Sequence, residues 1–250
     1  MSFLMRPSRF GGLAGTLWAW GNNGSGGLGD GTKVLRSSPV QINELTNWIS
    51  VSAGANNSFA INSDNKLFAW GESNFGGLGH GGGDGDSDEG GDDLSVITQV
   101  GALTNWAKVA AGSNLTTICV KTDGTLWSWG EDAFGKLGTN HTAGNVSSPV
   151  QVGSDTDWAT PSCGFKTSFC IKTDGTLWFW GYGGYGLRGN GTSANTSSPV
   201  QIGSVDTWVQ IECGGYNAIA RKEDNTCWTW GHNNTGRLGL GTKLHTSVPT

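Results

Sequence analysis

The chain has 250 residues and a formal net charge of −5, from 15 lysines and arginines against 20 aspartates and glutamates. Only 14% of its residues are charged and the basic ones form no run, which argues against nucleic acid and anionic membranes as partners. No apolar run approaches about 18 residues, and the opening MSFLMRPSRFGG lacks the apolar centre of a signal peptide. The sequence therefore predicts neither membrane insertion nor ordinary secretion.

The first predicted element is a strand that ends in LWAWG, residues 17–21. Tryptophans at alternate positions put both indoles on one face of a strand, and the glycine after them indicates a turn. The pentapeptide recurs as LFAWG (67–71), LWSWG (126–130), LWFWG (177–181) and CWTWG (227–231). A period of about 50 residues is too long for a helical hairpin and suits a four-stranded unit.

Other motifs keep the same phase. A glycine-rich stretch follows each pentapeptide and contains G-x-L-G in four of the five copies. A strand of the type SSPVQ comes next in three copies, with SVITQV (95–100) as a degenerate fourth, and then a strand headed by Trp48, Trp106, Trp158 or Trp208. A polar-apolar alternation then leads into Asp-Gly turns at 123–124 and 174–175, which are strong hairpin signals. Four short strands per period, with no helical periodicity, predict a β-propeller.

The order W-x-x-V-x-A-G, D-G-T-L-W-x-W-G, G-x-L-G-x-G and S-P-V-Q resembles the RCC1 repeat (regulator of chromosome condensation), most closely its bacterial and phage branch. The resemblance covers residues 15–250. It implies an all-β, RCC1-like propeller of about five blades, with four complete four-stranded repeats and an incomplete N-terminal one. Residues 1–14 form a separate N-terminal segment, which we expect to supply a degenerate strand or a partner contact.

All 13 tryptophans and all five cysteines have positions within the repeat. We therefore expect the indoles to fill space between blades. The cysteines lack C-x-x-C spacing and are predicted to be buried reduced thiols.

The second period is interrupted by HGGGDGDSDEGGDD, residues 80–93. Asp84, Asp86 and Asp88 lie at alternate positions, as carboxylates do in loops that bind calcium. However, Glu89 stands where such a loop needs its glycine, and the closing glutamate is missing. Two predictions remain open, a calcium-binding loop or a solvated acidic loop. No other cofactor is predicted.

Binding residues are predicted where the repeat departs from its pattern. Gly186-Leu187-Arg188-Gly189 exchanges leucine and arginine relative to G-x-L-G, so Arg188 is either a binding residue or a surface residue of a remodelled turn. Tyr182 and Tyr185 lie in the preceding loop, whose glycine- and amide-rich composition is typical of adaptable contact surfaces. The four histidines lie in turns without a repeated partner, so no catalytic site and no enzyme is predicted.

The resemblance also raises guanine-nucleotide exchange on a small GTPase as a function. Family members often carry C-G-x-H-H-S at the second strand. Here the first histidine position holds Asn56, Asn114, Lys166 and Tyr216, and the second holds Asn57, Leu115, Thr167 and Asn217. Exchange activity is therefore only a minor alternative.

The predicted function is a non-enzymatic binding or structural propeller. We expect a phage virion-surface component, a capsid decoration or a tail or fibre adhesin, located in the virion. Its expected partners are a protein or further copies of itself that complete the N-terminal blade, and a glycan or host-surface receptor. The alternative is a cytoplasmic protein-interaction adaptor.

Overall fold

The computed structural model describes residues 2–7 (backbone only), 15–81, 93–140, 144–204 and 207–250. These residues form short antiparallel strands and three single 3₁₀ turns, arranged as five blades that we name A to E in chain order. The all-β propeller of about five blades is thus confirmed.

The strands of each blade follow one another in sequence. Blade A contains β1 (Ser2–Pro7), β2 (Gly15–Gly21) and β3 (Arg36–Ile42). Blade B contains β4 (Trp48–Ala53), β5 (Asn57–Asn62), β6 (Leu67–Gly71) and β7 (Leu94–Gln99). Blade C contains β8 (Trp106–Ala111), β9 (Thr116–Lys121), β10 (Leu126–Gly130) and β11 (Val146–Gln151). Blade D contains β12 (Trp158–Cys163), β13 (Thr167–Lys172), β14 (Leu177–Gly181) and β15 (Thr196–Gln201). Blade E contains β16 (Trp208–Cys213), β17 (Asn217–Lys222) and β18 (Cys227–Gly231).

The outer position of blade E is filled by the segment around Thr246 and Thr250. Thr246 forms a β-bridge with Gly231, and Thr229 and Thr250 exchange backbone hydrogen bonds of 2.9 and 3.1 Å. Blade E therefore has some of the hydrogen bonds that a fourth strand would make, but it has no continuous fourth strand among the described residues.

Blade A is the incomplete blade. Its β1 pairs along β2 with Phe3 opposite Ala19, the register that Phe59 and Ala69 have in blade B. Residues 2–7 thus take the place of a second strand. No tryptophan-headed first strand belongs to blade A among the described residues.

The hydrophobic core lies between blades. Three of its four clusters join one blade's second and third strands to the tryptophans of the next blade, and the fourth joins β2 of blade A to the tryptophans of blade B. The last tryptophan of each pentapeptide from the second onward is fully buried. Trp70 Nε1 donates to the Gly27 carbonyl of blade A over 2.8 Å, and Gly29 leaves room for the ring, since a Cβ there would be 2.8 Å from Nε1. Inter-blade packing is confirmed for this set of indoles.

Blade E presents an exposed face where the other blades pack against a successor. The positions of Phe59, Ile61 and Leu67 are held there by Ile219, Arg221 and Cys227. Ile219 is 44% exposed and Cys227 is exposed.

All five cysteines are free, but they are not uniformly buried. Cys119 and Cys170 are buried, and Cys163 and Cys213 are half-buried. Burial raises the pKa of Cys170 and of Cys213 to about 12. The expectation of burial is wrong for Cys227, because no following blade covers it among the described residues.

Candidate binding face

One face of the propeller carries two kinds of connection, which we call the loop face. In each complete blade the first and third strands run in the same direction, so the turn after the first and the long connection after the third leave at the same end. Loops on a rigid scaffold are common sites of binding. The loop face is therefore where the blades can present side chains to a partner.

At blades D and E the loop face carries a continuous group of rings, joined by one ring of blade C, which we call the aromatic cluster. Its members are Phe134, Phe165, Tyr182, Tyr185, Tyr216, His232 and His245. All three tyrosines of the chain belong to it.

Tyr185 lies at the centre of the cluster. Its ring centroid is 4.5 Å from that of His232, 5.4 Å from that of His245 and 5.7 Å from that of Tyr216. Tyr182 links this group to Phe134, with 6.4 Å between its centroid and that of Tyr185 and 5.2 Å to that of Phe134. The rings come from several loops, so the cluster exists only in the folded propeller.

Tyr185 is held in a left-handed backbone conformation, with φ of 59°. Phe75 and Phe134 occupy the same loop position in blades B and C, with φ of 56° and 66°. Bulky residues rarely adopt this region, and such strain collects at functional sites. Tyr185 is nevertheless 45% exposed and Phe134 is 40% exposed. The loops therefore keep large rings near solvent in a conformation that glycine would adopt more easily.

Positive and neutral polar groups surround the cluster. Lys166 Nζ lies 4.7 Å from the ring centroid of Phe134 and 5.8 Å from that of Tyr182. His245 Nδ1 accepts a 2.8 Å hydrogen bond from the Asn233 backbone N–H, which places the proton of the neutral ring on Nε2. This half of the face can donate hydrogen bonds around an apolar centre.

His232 is the histidine most altered by the fold. Burial lowers its pKa below the ordinary value of 6.5, and the nearby His245 and Arg237 lower it further. Its Nδ1 is buried and has no hydrogen-bond partner among the described residues. The imidazole is therefore neutral near pH 7. Such a ring adds to the apolar surface of the cluster rather than to its charge.

The loop face has a different character at blades B and C. Glu72 accepts a 2.8 Å hydrogen bond from each of the amides of Asn56 and Asn74. Glu131 accepts from Asn114 and pairs with the buried Lys136. Burial lowers the pKa of Lys136, against the opposing effect of Glu131. Carboxylates held by amides thus lie on one half of the face, and the aromatic cluster with Lys166 lies on the other.

Two of the predicted binding residues, Tyr182 and Tyr185, belong to the aromatic cluster. Arg188 does not contact it in the part of the chain that the structure describes. Leu187 is buried in the core instead, and its carbonyl accepts from Trp230 Nε1 over 2.9 Å, as the carbonyls of Gly27 and Gly77 accept from Trp70 and Trp129. The loop therefore keeps the backbone of the other blades despite the exchange. Arg188 is half-buried. Its binding role stays a prediction.

The predicted calcium ligands Asp84, Asp86 and Asp88 lie outside the described residues. Among the residues that are described, no three His, Cys, Asp or Glu side chains gather to hold a metal ion. The calcium prediction is therefore untested.

Sequence reasoning missed most of the cluster. Tyr216 and Lys166 were visible at the position where the resemblance implies histidines. The nearness of Tyr216 to Tyr182 depends on the packing of blade D against blade E, and that of Lys166 depends on the pairing of β13 with β14. His232 and His245 are 13 positions apart, and only the return of the chain after β18 brings their centroids to 4.7 Å. The signal that could have found them was their common place in loop-face connections.

Repeated four-stranded blades, each with a buried tryptophan packed against the glycine-rich loop of the preceding blade, define a propeller of the RCC1 type. The chain belongs to the RCC1-repeat family: the family described as Regulator of chromosome condensation (RCC1) repeat matches residues 14–61, 123–171 and 174–220. A second family of the same description matches residues 48–76 and 208–237.

Several relatives share this repeat. The human E3 ubiquitin-protein ligase HERC2 is 29% identical over 181 residues, which are 71% of this chain and 4% of that protein. The Ultraviolet-B receptor UVR8 of Arabidopsis thaliana is 29% identical over 177 residues, 70% of this chain and 38% of the receptor. The mitochondrial RCC1 domain-containing protein RUG3 of the same plant is 30% identical over 183 residues, 70% of this chain and 40% of that protein. The chain thus spans less than half the length of each.

Solved structures show the same fold. Human WBSCR16 superposes with a TM-score of 0.81 at 20% identity, covering 95% of this chain and 62% of that chain. Yeast RCC1 (Prp20), solved with Kap60, gives 0.80 at 20% identity, covering 94% and 56%. At this identity the likeness concerns the fold alone.

In the described part of the chain, no helix has the length and apolar character needed to cross a membrane.

Proposed function

We propose that this propeller is a non-catalytic binding module that holds a protein partner on its loop face, through the aromatic cluster of blades D and E. The observation that carries the proposal is Tyr185, a half-exposed ring held in a strained backbone conformation at the centre of that cluster. Backbone strain at an exposed aromatic residue is typical of functional sites.

The chemistry of the cluster suits a protein interface. Tyrosine is enriched among the residues that dominate binding energy, because it buries a large area with few rotatable bonds. The rings form one surface, with Lys166 beside it and the held carboxylates Glu72 and Glu131 further along the same face. A partner with an apolar centre and charges of opposite sign on either side would be complementary.

Protein binding by relatives supports the same reading. Yeast RCC1 (Prp20) has been solved with Kap60 bound, and Prp20p of Saccharomyces cerevisiae is described with binding to Gsp1p and histones. We carry over the general role of an RCC1 propeller as an interaction surface, and none of these partners. Exchange activity has no support from the positions that should hold histidines, where Lys166 and Tyr216 stand.

The more specific prediction, a virion-surface protein of the phage branch, rests on sequence character alone. Relatives such as HERC2, UVR8 and RUG3 are eukaryotic and lend it no support. We retain the virion as the proposed location, and a cytoplasmic adaptor as the alternative. A glycan or a further copy of the chain are other partners to be tested.

Quantitative capture from the native source tests the proposal. The wild-type chain is compared with a Tyr182→Ala/Tyr185→Ala/Tyr216→Ala variant, and with Phe75→Ala as the matched control at the same loop position in blade B. We expect one protein to bind the wild type and the control alike, and at least tenfold less of it to bind the triple variant. Equal capture by all three would contradict the proposal.

The identity of the captured protein distinguishes a virion protein from a cytoplasmic adaptor. A capsid, tail or fibre protein favours the virion, and a cellular protein favours the adaptor. Binding to a glycan array with no captured protein would replace the protein partner by a carbohydrate. Accelerated nucleotide release from a captured GTPase would restore the exchange alternative.

A further inference from the structure

At the end of the strands opposite the loop face, three blades repeat the same arrangement of a lysine between two indoles. Lys121 Nζ lies 4.9 and 3.5 Å from the ring centroids of Trp106 and Trp127. In blade D, Lys172 Nζ lies 4.6 Å from both Trp158 and Trp178. In blade E, Lys222 Nζ lies 4.9 Å from Trp208 and 4.0 Å from Trp228. The contacts are of the cation–π type.

The lysine of blade E differs from the other two in its exposure, and from the lysine of blade D in its partners. Lys121 and Lys172 are only 6% and 8% exposed, whereas Lys222 is half-buried. Lys172 is neutralised by Asp155 and Asp157, at 2.6 and 3.0 Å.

Lys222 has no such ion pair, although its charge and that of the Asp224 carboxylate attract each other. Thr207 stands at the position of Asp157, and no carboxylate among the described residues forms an ion pair with Lys222. None of the described carboxylates therefore holds its ammonium in an ion pair, and it can bind an external anion.

Lys222 borders a pocket of about 440 Å³ between blades D and E. Its apolar walls include Ile202, Trp208, Trp228, Val248 and Pro249. This volume lies within the range of small-molecule sites, which combine mostly apolar walls with a few polar groups that fix orientation. Here the polar side chains are Asn190 and one cation, Lys222, at the edge of two indoles.

We propose that this pocket binds a small amphipathic monocarboxylate, with the carboxylate on Lys222 and the apolar body against Trp228, Val248 and Pro249. A carboxylate gains a charge-assisted hydrogen bond from the ammonium, and a hydrocarbon chain gains by leaving water. A ligand with a cationic head is repelled by Lys222, and a neutral head forgoes the ion pair. The site is separate from the aromatic cluster and does not depend on the function proposed for it.

Isothermal titration calorimetry with three probes of equal chain length tests the assignment: octanoate, 1-octanol and octylammonium. Wild-type protein is expected to bind octanoate at least tenfold more tightly than 1-octanol, and to show no saturable binding of octylammonium. Lys222→Met keeps the side-chain stem and should bind octanoate no better than 1-octanol. Lys222→Arg keeps the charge and should retain the preference, which separates loss of charge from loss of fold.

Lys121→Met is the matched control, since it removes the same ion from the same kind of indole pair in blade C. It should leave octanoate binding unchanged. The proposal is overturned if no probe binds the wild type, if octanoate and 1-octanol bind alike, or if Lys222→Met keeps the wild-type preference.

Discussion

Replacing Tyr185 by glycine should leave the protein more stable than replacing it by alanine, the reverse of the usual order. Both substitutions delete the same ring, so the lost packing cancels in the comparison. Alanine must still adopt the left-handed conformation found at φ of 59°, at a cost of roughly 1–2 kcal/mol. Glycine avoids this cost but loses more backbone freedom on folding, by about 0.5–1 kcal/mol. The net difference is about 0.5–1 kcal/mol in favour of glycine.

Urea unfolding followed by tryptophan fluorescence measures this difference as a shift of the transition midpoint at constant slope. Thr235 provides the matched control, because it holds the same loop position in blade E without a left-handed backbone. There the usual order should return, with Thr235→Ala more stable than Thr235→Gly. Strain at Tyr185 would be refuted if Tyr185→Ala were as stable as Tyr185→Gly, or if both positions gave the same sign.

Three further results are expected. In urea unfolding, Gly29→Ala should lower the free energy of unfolding by at least about 1 kcal/mol more than Gly239→Ala does. Both glycines have left-handed φ, but only Gly29 faces the Trp70 ring. Equal losses would contradict close packing of Trp70 against Gly29. The pKa of His232 is lowered in the folded protein, so the unfolded chain binds a proton at this histidine more readily. The contribution of neutral His232 to the free energy of unfolding should therefore be fully present above pH 6.5 and should decrease as the pH falls below that value. His232→Gln should flatten this decline in unfolding at about pH 7.5 and about pH 5.5, and an unchanged slope would exclude His232 as its source. Finally, a thiol reagent should label one cysteine rapidly in the native protein, and Cys227→Ser should abolish that rapid phase; rapid labelling that survives would mean that a second thiol is open.

The sequence was sufficient for the architecture because each motif recurs in phase and each has a local meaning. Alternate tryptophans indicate a strand face, and Asp-Gly indicates a hairpin. The roles of the tryptophans were predicted only in part. The last indole of each later pentapeptide is buried between blades, whereas Trp127, Trp178 and Trp228 are half-buried and contact lysines. The lysine at the end of the second strand of blades C, D and E was visible in the repeat, but its place between two indoles follows from strand pairing.

The candidate site was less predictable, since it depends on contacts between blades. Tyr185 and His232 come from the loops of different blades, and nothing in either loop alone indicates a 4.5 Å contact. The left-handed backbone at Tyr185 could not be predicted either. Positive φ is expected at glycines, such as those of the motif G-x-L-G, whereas an aromatic residue predicts negative φ. Arg188 was predicted as a binding residue because it departs from the repeat. In the structure, the exchange of leucine and arginine buries Leu187.

Site-specific photo-crosslinking tests the binding face most directly. A photoreactive phenylalanine analogue is placed at Tyr185 and, in a second protein, at Phe75, which has the same backbone conformation on the other half of the face. In the native mixture, the probe at position 185 should crosslink one discrete protein, and excess wild-type chain should compete while the Tyr182→Ala/Tyr185→Ala/Tyr216→Ala variant should not. A crosslink of equal yield from position 75, or competition by that variant, would contradict binding through the aromatic cluster.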